Sequence, residues 1–415
     1  MKKLRIGLAG LGTVGRGVYE IIVKDFESIT ARCSTSLEIT AVSACNKKDF
    51  IDPKVKFYSD VIDLAKDPEI DVIVEVIGGS KVAKELIETA IKSGKKIVTA
   101  NKALLAEHGF EIAKLVEENN SYIGFEAAVA GATPAIKTIK ENLAANSVNE
   151  IHAVLNGTSN FILTKMKNEN LAFDDALKQA QNLGYAEADP SSDIKGIDSA
   201  HKITLLAAIA SKTKPALNKT YVEGIDQIDI EDINFADELG YKIKLLATFK
   251  SGQQSVYPAL IKKSEMIAQV DGSLNVILFN SSNSGMSLIV GEGAGSLPTA
   301  SAIVADLVDI ARGNSSFLFN AKSDNLGEAN IGDISNRFGQ YFLRLTIDKE
   351  SLAENKFFGD KIKVKQAVFL NRDSEVLCGF LTENHKESEI ISALKNLDPK
   401  QVRSIKFIRV EETNF

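Results

Sequence analysis

Along the first 125 residues, short apolar runs rich in β-branched side chains alternate with stretches whose apolar positions recur every three or four residues. The runs 4–10 (LRIGLAG), 37–44 (LEITAVSA), 71–78 (DVIVEVIG), 95–100 (KKIVTA) and 121–127 (SYIGFEA) predict strands. Between them, 13–22, 80–92 and 109–119 predict helices. Strands that read as continuous apolar runs are buried on both faces, the habit of a parallel sheet covered by helices. Beyond about residue 130 the texture changes. Helical periodicity covers 156–169, 173–183 and 197–210, and alternating strands are predicted near 148–155, 255–261, 274–280 and 285–291. That mixture implies an α+β arrangement, with helices packed on an antiparallel or mixed sheet. Residues 291–313 return to a glycine-rich turn and one long apolar helix, with Ser, Pro and Thr at its start as suits a helix N-terminus. From 341 onward, strands at 341–347, 361–370, 374–382 and 402–411 and a helix at 386–397 form a small βαββαβ-like, ferredoxin-like pattern with a poorly formed first helix.

A chain of 415 residues exceeds what one hydrophobic core supports, so two or three domains are expected. With 44% hydrophobic and 25% charged residues, the composition is that of a soluble globular protein. A net charge of −6 argues against sequence-independent nucleic-acid binding, which needs a basic surface to displace counterions. Cys33, Cys45 and Cys378 are widely separated and fit no zinc spacing, so a reducing compartment without disulfides is expected. The opening MKKLRIGLAG is basic then apolar, but it meets a glycine turn too soon for a secretory core. No apolar segment approaches the roughly 20 residues that span a bilayer. A cytoplasmic protein with no membrane partner is the expectation.

Directly after the first strand comes Gly10-Leu11-Gly12-Thr13-Val14-Gly15. A lone GxGxxG is weak evidence. Here it follows a buried strand, opens a helix and heads an alternating β/α region, the context in which such glycines let a pyrophosphate approach a helix N-terminus. A dinucleotide site is therefore expected. NAD-selective sites usually place a carboxylate at the end of the second strand. That strand runs instead into Ala44-Cys45-Asn46-Lys47-Lys48, and the first acid is Asp49. The two lysines suit a 2′-phosphate, so NADP is expected to serve at least as well as NAD, although lysines on a solvated turn would read the same way.

The stretch GYAEADPSSDIKGIDSAHK, 184–202, gathers Glu187, Asp189, Asp193 and Asp198 ahead of Lys202. Asp198 and Lys202 are four apart in a helical run and share one face. As a surface pair they would contribute only about 0.3–0.5 kcal/mol. Beside a nicotinamide the same set has a chemical purpose. Carboxylates hold a substrate ammonium, and a lysine meets a carbonyl oxygen that turns negative as hydride arrives.

The run Ala180-x-x-x-Gly184-Tyr185-Ala186-x-x-Asp189-Pro190-x-x-Asp193-Ile194-x-Gly196-x-Asp198-x-x-x-Lys202 resembles the signature of homoserine dehydrogenases. So do GLGTVGRGV (10–18), VTANKALLA (98–106), GFEAAVAGATP (124–134), LNGTSNFIL (155–163) and GAGSLPTASAIVADLVDIARG (293–313), in order, over residues 1 to about 335. The resemblance implies an α/β chain in three parts. These are an N-terminal Rossmann dinucleotide-binding domain (1–130, completed by 296–335), a central α+β catalytic and dimerisation domain (131–295), and a C-terminal ferredoxin-like, ACT-type domain (340–415). It implies reversible NAD(P)H-dependent interconversion of L-aspartate 4-semialdehyde and L-homoserine, in the branch leading to threonine and methionine. Lys202 is the implied proton donor, with Lys102 a second lysine near the same oxygen or the nicotinamide. Glu187 and Asp198 are implied substrate contacts, supported by Asp193. Thr99, Ala100, Gly184 and Gly293 join the GxGxxG residues near the cofactor. A monovalent-cation site (Na⁺ or K⁺) is implied at Glu126, Val129, Gly131 and Thr133, where an irregular turn after a strand can aim oxygens inward. A homodimer is implied, with a tetramer through the tail module as a further state.

Two other readings are weighed against this one. An aspartate-semialdehyde dehydrogenase needs a nucleophilic cysteine, and none of the three sits in such a context. A catalytically silent amino-acid sensor would have lost Lys202 or Lys102, and both are present. In the tail, Lys349-Glu350-Ser351 stand where ACT modules carry a glycine turn against their effector, so weak or absent threonine feedback is expected. No kinase segment precedes the dehydrogenase, and a monofunctional enzyme is expected.

Overall fold

The computed structural model describes residues 2–349, 358 and 361–413. The chain opens with β1 (Lys2–Ala9), α1 (Thr13–Lys24), α2 (Phe26–Cys33), β2 (Thr35–Ser43), β3 (Lys56–Tyr58), α3 (Val61–Lys66) and β4 (Val72–Glu75). It continues with α4 (Lys81–Lys92), β5 (Lys96–Thr99), α5 (Lys102–Glu118) and β6 (Ile123–Gly124). Next come β7 (Val148–Val154), α6 (Gly157–Glu169), α7 (Phe173–Asn182), α8 (Ser191–Ile194), α9 (Ile197–Ser211), β8 (Tyr221–Val222) and α10 (Ile230–Glu238). Then follow β9 (Tyr241–Lys250), β10 (Gln253–Lys262), β11 (Leu274–Ser281), β12 (Gly285–Glu292) and α11 (Ser296–Arg312). The tail holds β13 (Phe338–Gly339), β14 (Tyr341–Asp348), β15 (Val364–Asn371), β16 (Glu375–Thr382), β17 (His385–Lys386), α12 (Glu387–Lys395) and β18 (Val402–Glu411).

By compactness these elements form two units. One comprises Met1–Ile151, His201–Lys219 and Asn275–Ala329; the other comprises His152–Ala200, Thr220–Leu274 and Asn330–Phe415. Residues 340–415 are thus counted with the second unit rather than alone.

In the first unit, β1–β6 form a parallel sheet in the order β3-β2-β1-β4-β5-β6. The order reverses between β1 and β4, where open α/β sheets take ligands at the carboxyl ends of the strands. Val18 and Ile22 of α1 and Ile303 and Leu307 of α11 belong to one core with Leu8, Val42 and Val74 of the sheet. The late helix therefore completes this layer, although the sequence places it almost three hundred residues from β1. β12, β11 and the start of β7 also lie side by side, outside that parallel sheet. Two starts differ from the pattern. α5 begins at Lys102 rather than near 109, because Asn101 Oδ1 accepts from Leu104 N at 3.1 Å and caps it. SYIGFEA contributes only the two residues of β6 before turning into a single 3₁₀ turn at Glu126–Ala128.

In the second unit the sheet runs β9-β10-β18-β14-β16-β15. Its pairings are antiparallel except those of β10 with β18 and with the short β8, which are parallel. The pattern predicts nothing over 230–250, yet α10 and β9 form there. Lysines interrupt the apolar signal of β9. Lys244 is only 2% exposed and donates to Asp271, Asn160 and the Val270 carbonyl, each at 2.8 Å. A buried, fully bonded lysine reads as polar in sequence and as core in space. The tail strands follow the order last-first-third-second of a βαββαβ unit, with Tyr341, Leu343, Leu345, Val376, Ile390 and Leu394 in their core. The altered turn and first helix position expected at 350–357 lie outside the described residues.

Charged clasps join the tail to the rest of its unit. Arg344 on β14 and Lys406 on β18 reach Asp229, at the start of α10, at 2.5 and 2.6 Å. Arg409 on β18, 1% exposed, donates to Glu387 at 2.6 and 2.8 Å and to Glu223 at 2.7 Å. Its guanidinium lies 4.7 to 5.3 Å from the ring centres of Tyr221, Tyr257 and Phe407. Removing one partner of such a pair leaves the other charge buried. Arg409→Met is therefore expected to cost about 3–5 kcal/mol in urea unfolding, and Arg409→Met with Glu387→Leu is expected to recover much of it. Equal stability of the single variant and the parent would show that the clasp contributes nothing.

Candidate active site

The glycine turn in the first unit separates two roles by space. Gly10 has φ +105°, and a Cβ there would lie 2.5 Å from the Val76 carbonyl oxygen. A Cβ on Gly15 would lie 2.0 Å from the Gly10 oxygen. These two positions exclude any side chain because backbone packs on backbone. A Cβ on Gly12 would meet nothing within 4 Å. It borders open space at the N-terminus of α1, where N–H groups and the helix dipole favour phosphate. Leu11 is buried and anchors the turn, while Thr13 and Val14 begin α1. Ser296 Oγ donates to the Thr13 carbonyl at 2.6 Å, which ties the start of α11 to the turn. After β2, the residues 45–49 are exposed, with Lys47 and Lys48 ahead of Asp49. Arg16, which the sequence reading passes over, lies with its guanidinium 5.5 Å from the Phe50 ring centre and adds a third cation on this side.

At the end of β4, Glu75 is fully buried. It is in register with Ala9 on β1 and Thr99 on β5. Its carboxylate accepts from Thr99 Oγ1 at 2.5 Å and from Ile77 N at 3.0 Å. Burial raises its pKa, and bonds from Thr99, Ile77, Gly78 and Asn101 oppose that rise. Asn101 N in turn donates to Thr99 Oγ1 at 3.0 Å, and the Asn101 amide donates to the Gly79 carbonyl at 2.6 Å. Ala100 and Lys102 flank that asparagine, and Lys102 is the first residue of α5. Sequence pattern alone did not single out Glu75, since a carboxylate inside DVIVEVIG reads as an interruption of a strand.

In the second unit, one amide organises the acidic stretch. Asn156 Nδ2 donates to Asp193 at 2.7 Å and to Asp198 at 3.0 Å. Its Oδ1 accepts from Ser159 N at 2.8 Å and caps α6. Asn156 lies in the quoted LNGTSNFIL segment, but its bridging role has no sequence signal because its partners are about forty residues away. Ser159 Oγ donates to the Asp193 carbonyl at 3.0 Å. Asp198 and Lys202 are both buried and lie one turn apart on α9, which the two units divide at Ala200. Glu187 is exposed, and Asp189 accepts from the Ser191 amide and hydroxyl as an ordinary turn acid. Gly184 is exposed at φ +78°, followed by Tyr185 stacked on Phe161 at 4.6 Å.

The turn proposed for a cation belongs to the first unit. Ala130 and Gly131 are both left-handed, at φ +57° and +52°. This reverses the chain sharply after Val129. The Thr133 hydroxyl is buried and has no hydrogen-bond partner among the described residues. Glu126 accepts from the backbone N–H groups of Ala135, Ile136 and Lys137 at 2.7, 3.0 and 2.7 Å. Even so, burial and the neighbouring Asp306 push its pKa up to about 7. Burial pushes Asp306 to about 6 against the pull of Lys137, whose ammonium stands 3.4 Å from Asp306 and 2.5 Å from Asp309. Burial lowers Lys140 to about 8. Three carboxylates thus face two ammonium groups, one negative charge in excess. Gly293 packs on this turn: a Cβ on Gly131 would lie 2.8 Å from its carbonyl, and Ala132 N donates to the Glu292 oxygen at 3.0 Å.

Two family models match in sequence order. Residues 10–126 match "Homoserine dehydrogenase, NAD binding domain" and residues 134–308 match "Homoserine dehydrogenase". A homoserine dehydrogenase of Helicobacter pylori is 36% identical over 99% of both chains. One of Neisseria gonorrhoeae is 48% identical over 75% of this chain and 73% of its own. The crystal structure of a homoserine dehydrogenase from Thiobacillus denitrificans superposes with a TM-score of 0.93 at 38% identity, covering 99% of each chain. A hyperthermophilic archaeal homoserine dehydrogenase in complex with NADPH matches at TM-score 0.65 and 27% identity, over 76% of this chain and 99% of its own. With these matches added to the glycine turn on its parallel sheet, the chain belongs to the homoserine dehydrogenase family.

Proposed function

We propose that the chain reduces L-aspartate 4-semialdehyde to L-homoserine reversibly with NAD(P)H, using Lys202 to protonate the aldehyde oxygen. The observation that carries the assignment of roles is the pair Asp193 and Asp198 held by one amide, with Asp198 one helical turn before Lys202. A bound nicotinamide supplies hydride to the carbonyl carbon. Lys202 stabilises the charge that gathers on oxygen and then gives it a proton. Asp198 and the exposed Glu187 meet the substrate's ammonium and hydroxyl groups, and Asp193 supports them. Lys102 contributes a second positive charge toward the same oxygen or the cofactor. The open space over Gly12 fits a pyrophosphate, and Thr99, Ala100 and Gly293 border the same ligand. The strand order of residues 340–415 supports an ACT-like reading of the tail.

Lys202→Met is expected to lower kcat by about 10²–10⁴ while leaving circular dichroism and NADPH binding intact, the usual loss for a positioned acid. A variant that keeps more than about a tenth of the parent kcat would remove Lys202 from this role.

Lys47, Lys48 and the lack of a carboxylate before Asp49 support NADP(H) as a coenzyme at least equal to NAD(H). The ratio of kcat/KM for the two decides it. A preference for NAD(H) of about 100-fold, nearly 3 kcal/mol, would mean that an acid reaches the ribose after all.

The excess negative charge, the unpartnered Thr133 hydroxyl and the left-handed turn fit a monovalent cation held by oxygens of Glu126, Val129, Gly131 and Thr133. Without the ion, Glu126 binds its proton more tightly folded than unfolded. Its contribution is then fully present below about pH 4.5 and fades as pH rises through about 7, on the order of 3 kcal/mol in all. In a large organic cation, unfolding free energy should fall across that window; Na⁺ or K⁺ should flatten the slope, and Glu126→Gln should reduce it, leaving the share of Asp306. The same slope in all salts would count against an ion in this turn.

A further inference from the structure

The carboxyl edge of the parallel sheet holds a buried acid to which the proposed chemistry assigns nothing. Glu75 ends β4 at the point where the strand order reverses, fully buried, and among the described residues no lysine or arginine pairs with it. Burying a lone carboxylate costs several kcal/mol unless donors converge on it. Here they do: Ile77 N at 3.0 Å and Thr99 Oγ1 at 2.5 Å. If joining β4 to β5 were its whole purpose, an apolar residue would do so at lower cost, as in the preceding Val72, Ile73 and Val74.

The loop after β4 suggests what the acid is for. Gly78 and Gly79 are both left-handed, at φ +74° and +72°, and a Cβ on either would meet nothing within 4 Å. No packing of side chains fixes the shape of that pair of residues. Hydrogen bonds do. On one side the Glu75 carboxylate draws in the N–H group of Ile77, next to Gly78. On the other, the Asn101 amide donates to the Gly79 carbonyl. Thr99 links the two, giving its hydroxyl proton to Glu75 while accepting from Asn101 N. Asn101 also caps α5, whose first residue is Lys102.

We propose that Glu75 is a positioning residue for the nicotinamide cofactor: its carboxylate shapes the Gly78–Gly79 loop and, through Thr99 and Asn101, sets the start of the helix carrying Lys102. The proposal rests on the cofactor site described above, and it assigns Glu75 no proton transfer.

The test compares Glu75→Ala, Glu75→Gln and Thr99→Val in the full chain. NADPH affinity is read from the fluorescence of the reduced nicotinamide, and kcat at saturating NADPH is read separately. Glu75→Ala is expected to weaken NADPH binding by at least about tenfold and to lower kcat as well, since small displacements of positioning groups are costly. Glu75→Gln keeps the shape and one acceptor oxygen, so it should recover most of both losses. A Gln variant as impaired as Ala would instead mean that the charge or proton of Glu75 is used directly, which overturns the positioning role. A folded Ala variant with parental NADPH affinity and kcat also overturns it. Should Ala fail to fold, Thr99→Val, which removes one donor, is expected to weaken NADPH binding about threefold; no change there overturns the proposal. Lys202→Met serves as the control. If it remains fully active, the assignment of Lys202 fails, while the NADPH affinities still judge Glu75.

Discussion

Backbone packed directly on backbone at the reversal of the parallel sheet is the constraint on which the nucleotide end of the chain depends. Gly15 approaches the Gly10 carbonyl, and Gly10 approaches the Val76 carbonyl, at distances no Cβ could share. Only because both approaches succeed can α1 start straight after β1 and present its N-terminus at the strand ends. A third approach extends the arrangement. Gly17 of α1 lies where a Cβ would meet Ser296 at 2.7 Å, so α11 packs closely on α1 and brings its glycine-rich start beside the turn. Gly12, by contrast, faces open space within 4 Å of where a Cβ would stand.

Buried charge is the second theme, and its uses differ. Lys244 and Arg409 are saturated with acceptors and hold loops and strands in register. Such groups add little net stability compared with apolar residues of the same shape, but each permits only one arrangement of its neighbours. The cluster of Glu126, Asp306, Asp309, Lys137 and Lys140 is unbalanced by one negative charge; burial, more than that imbalance, raises the pKa values of Glu126 and Asp306. Asp193 and Asp198, joined by the Asn156 amide, set two carboxylates close together ahead of a lysine. Like charges gathered in this way are costly for folding, and under the proposed chemistry they hold the substrate ammonium.

Sequence by itself determined what repeats locally or is written contiguously. The alternation of apolar runs and amphipathic helices specified a parallel sheet, because the strand and helix periods are imposed by burial on each element separately. The glycine spacing of 10–15 and the ordered segments from 98 to 313 marked the dinucleotide turn and the family, since they depend on residues adjacent in the chain. Tertiary structure alone decided the rest. The parallel pairing of β18 with β10 joins strands about 140 residues apart and makes the tail continuous with the preceding sheet. β9 concealed itself because its lysines are neutralised by partners that no local pattern reveals. Asn156 and Glu75 are ordinary polar residues in sequence, and they acquire their roles from donors and acceptors brought in by other elements. Hydrophobic periodicity is a property of one segment facing a core. The satisfaction of a buried polar group is a property of several segments at once, and only the folded chain brings them together.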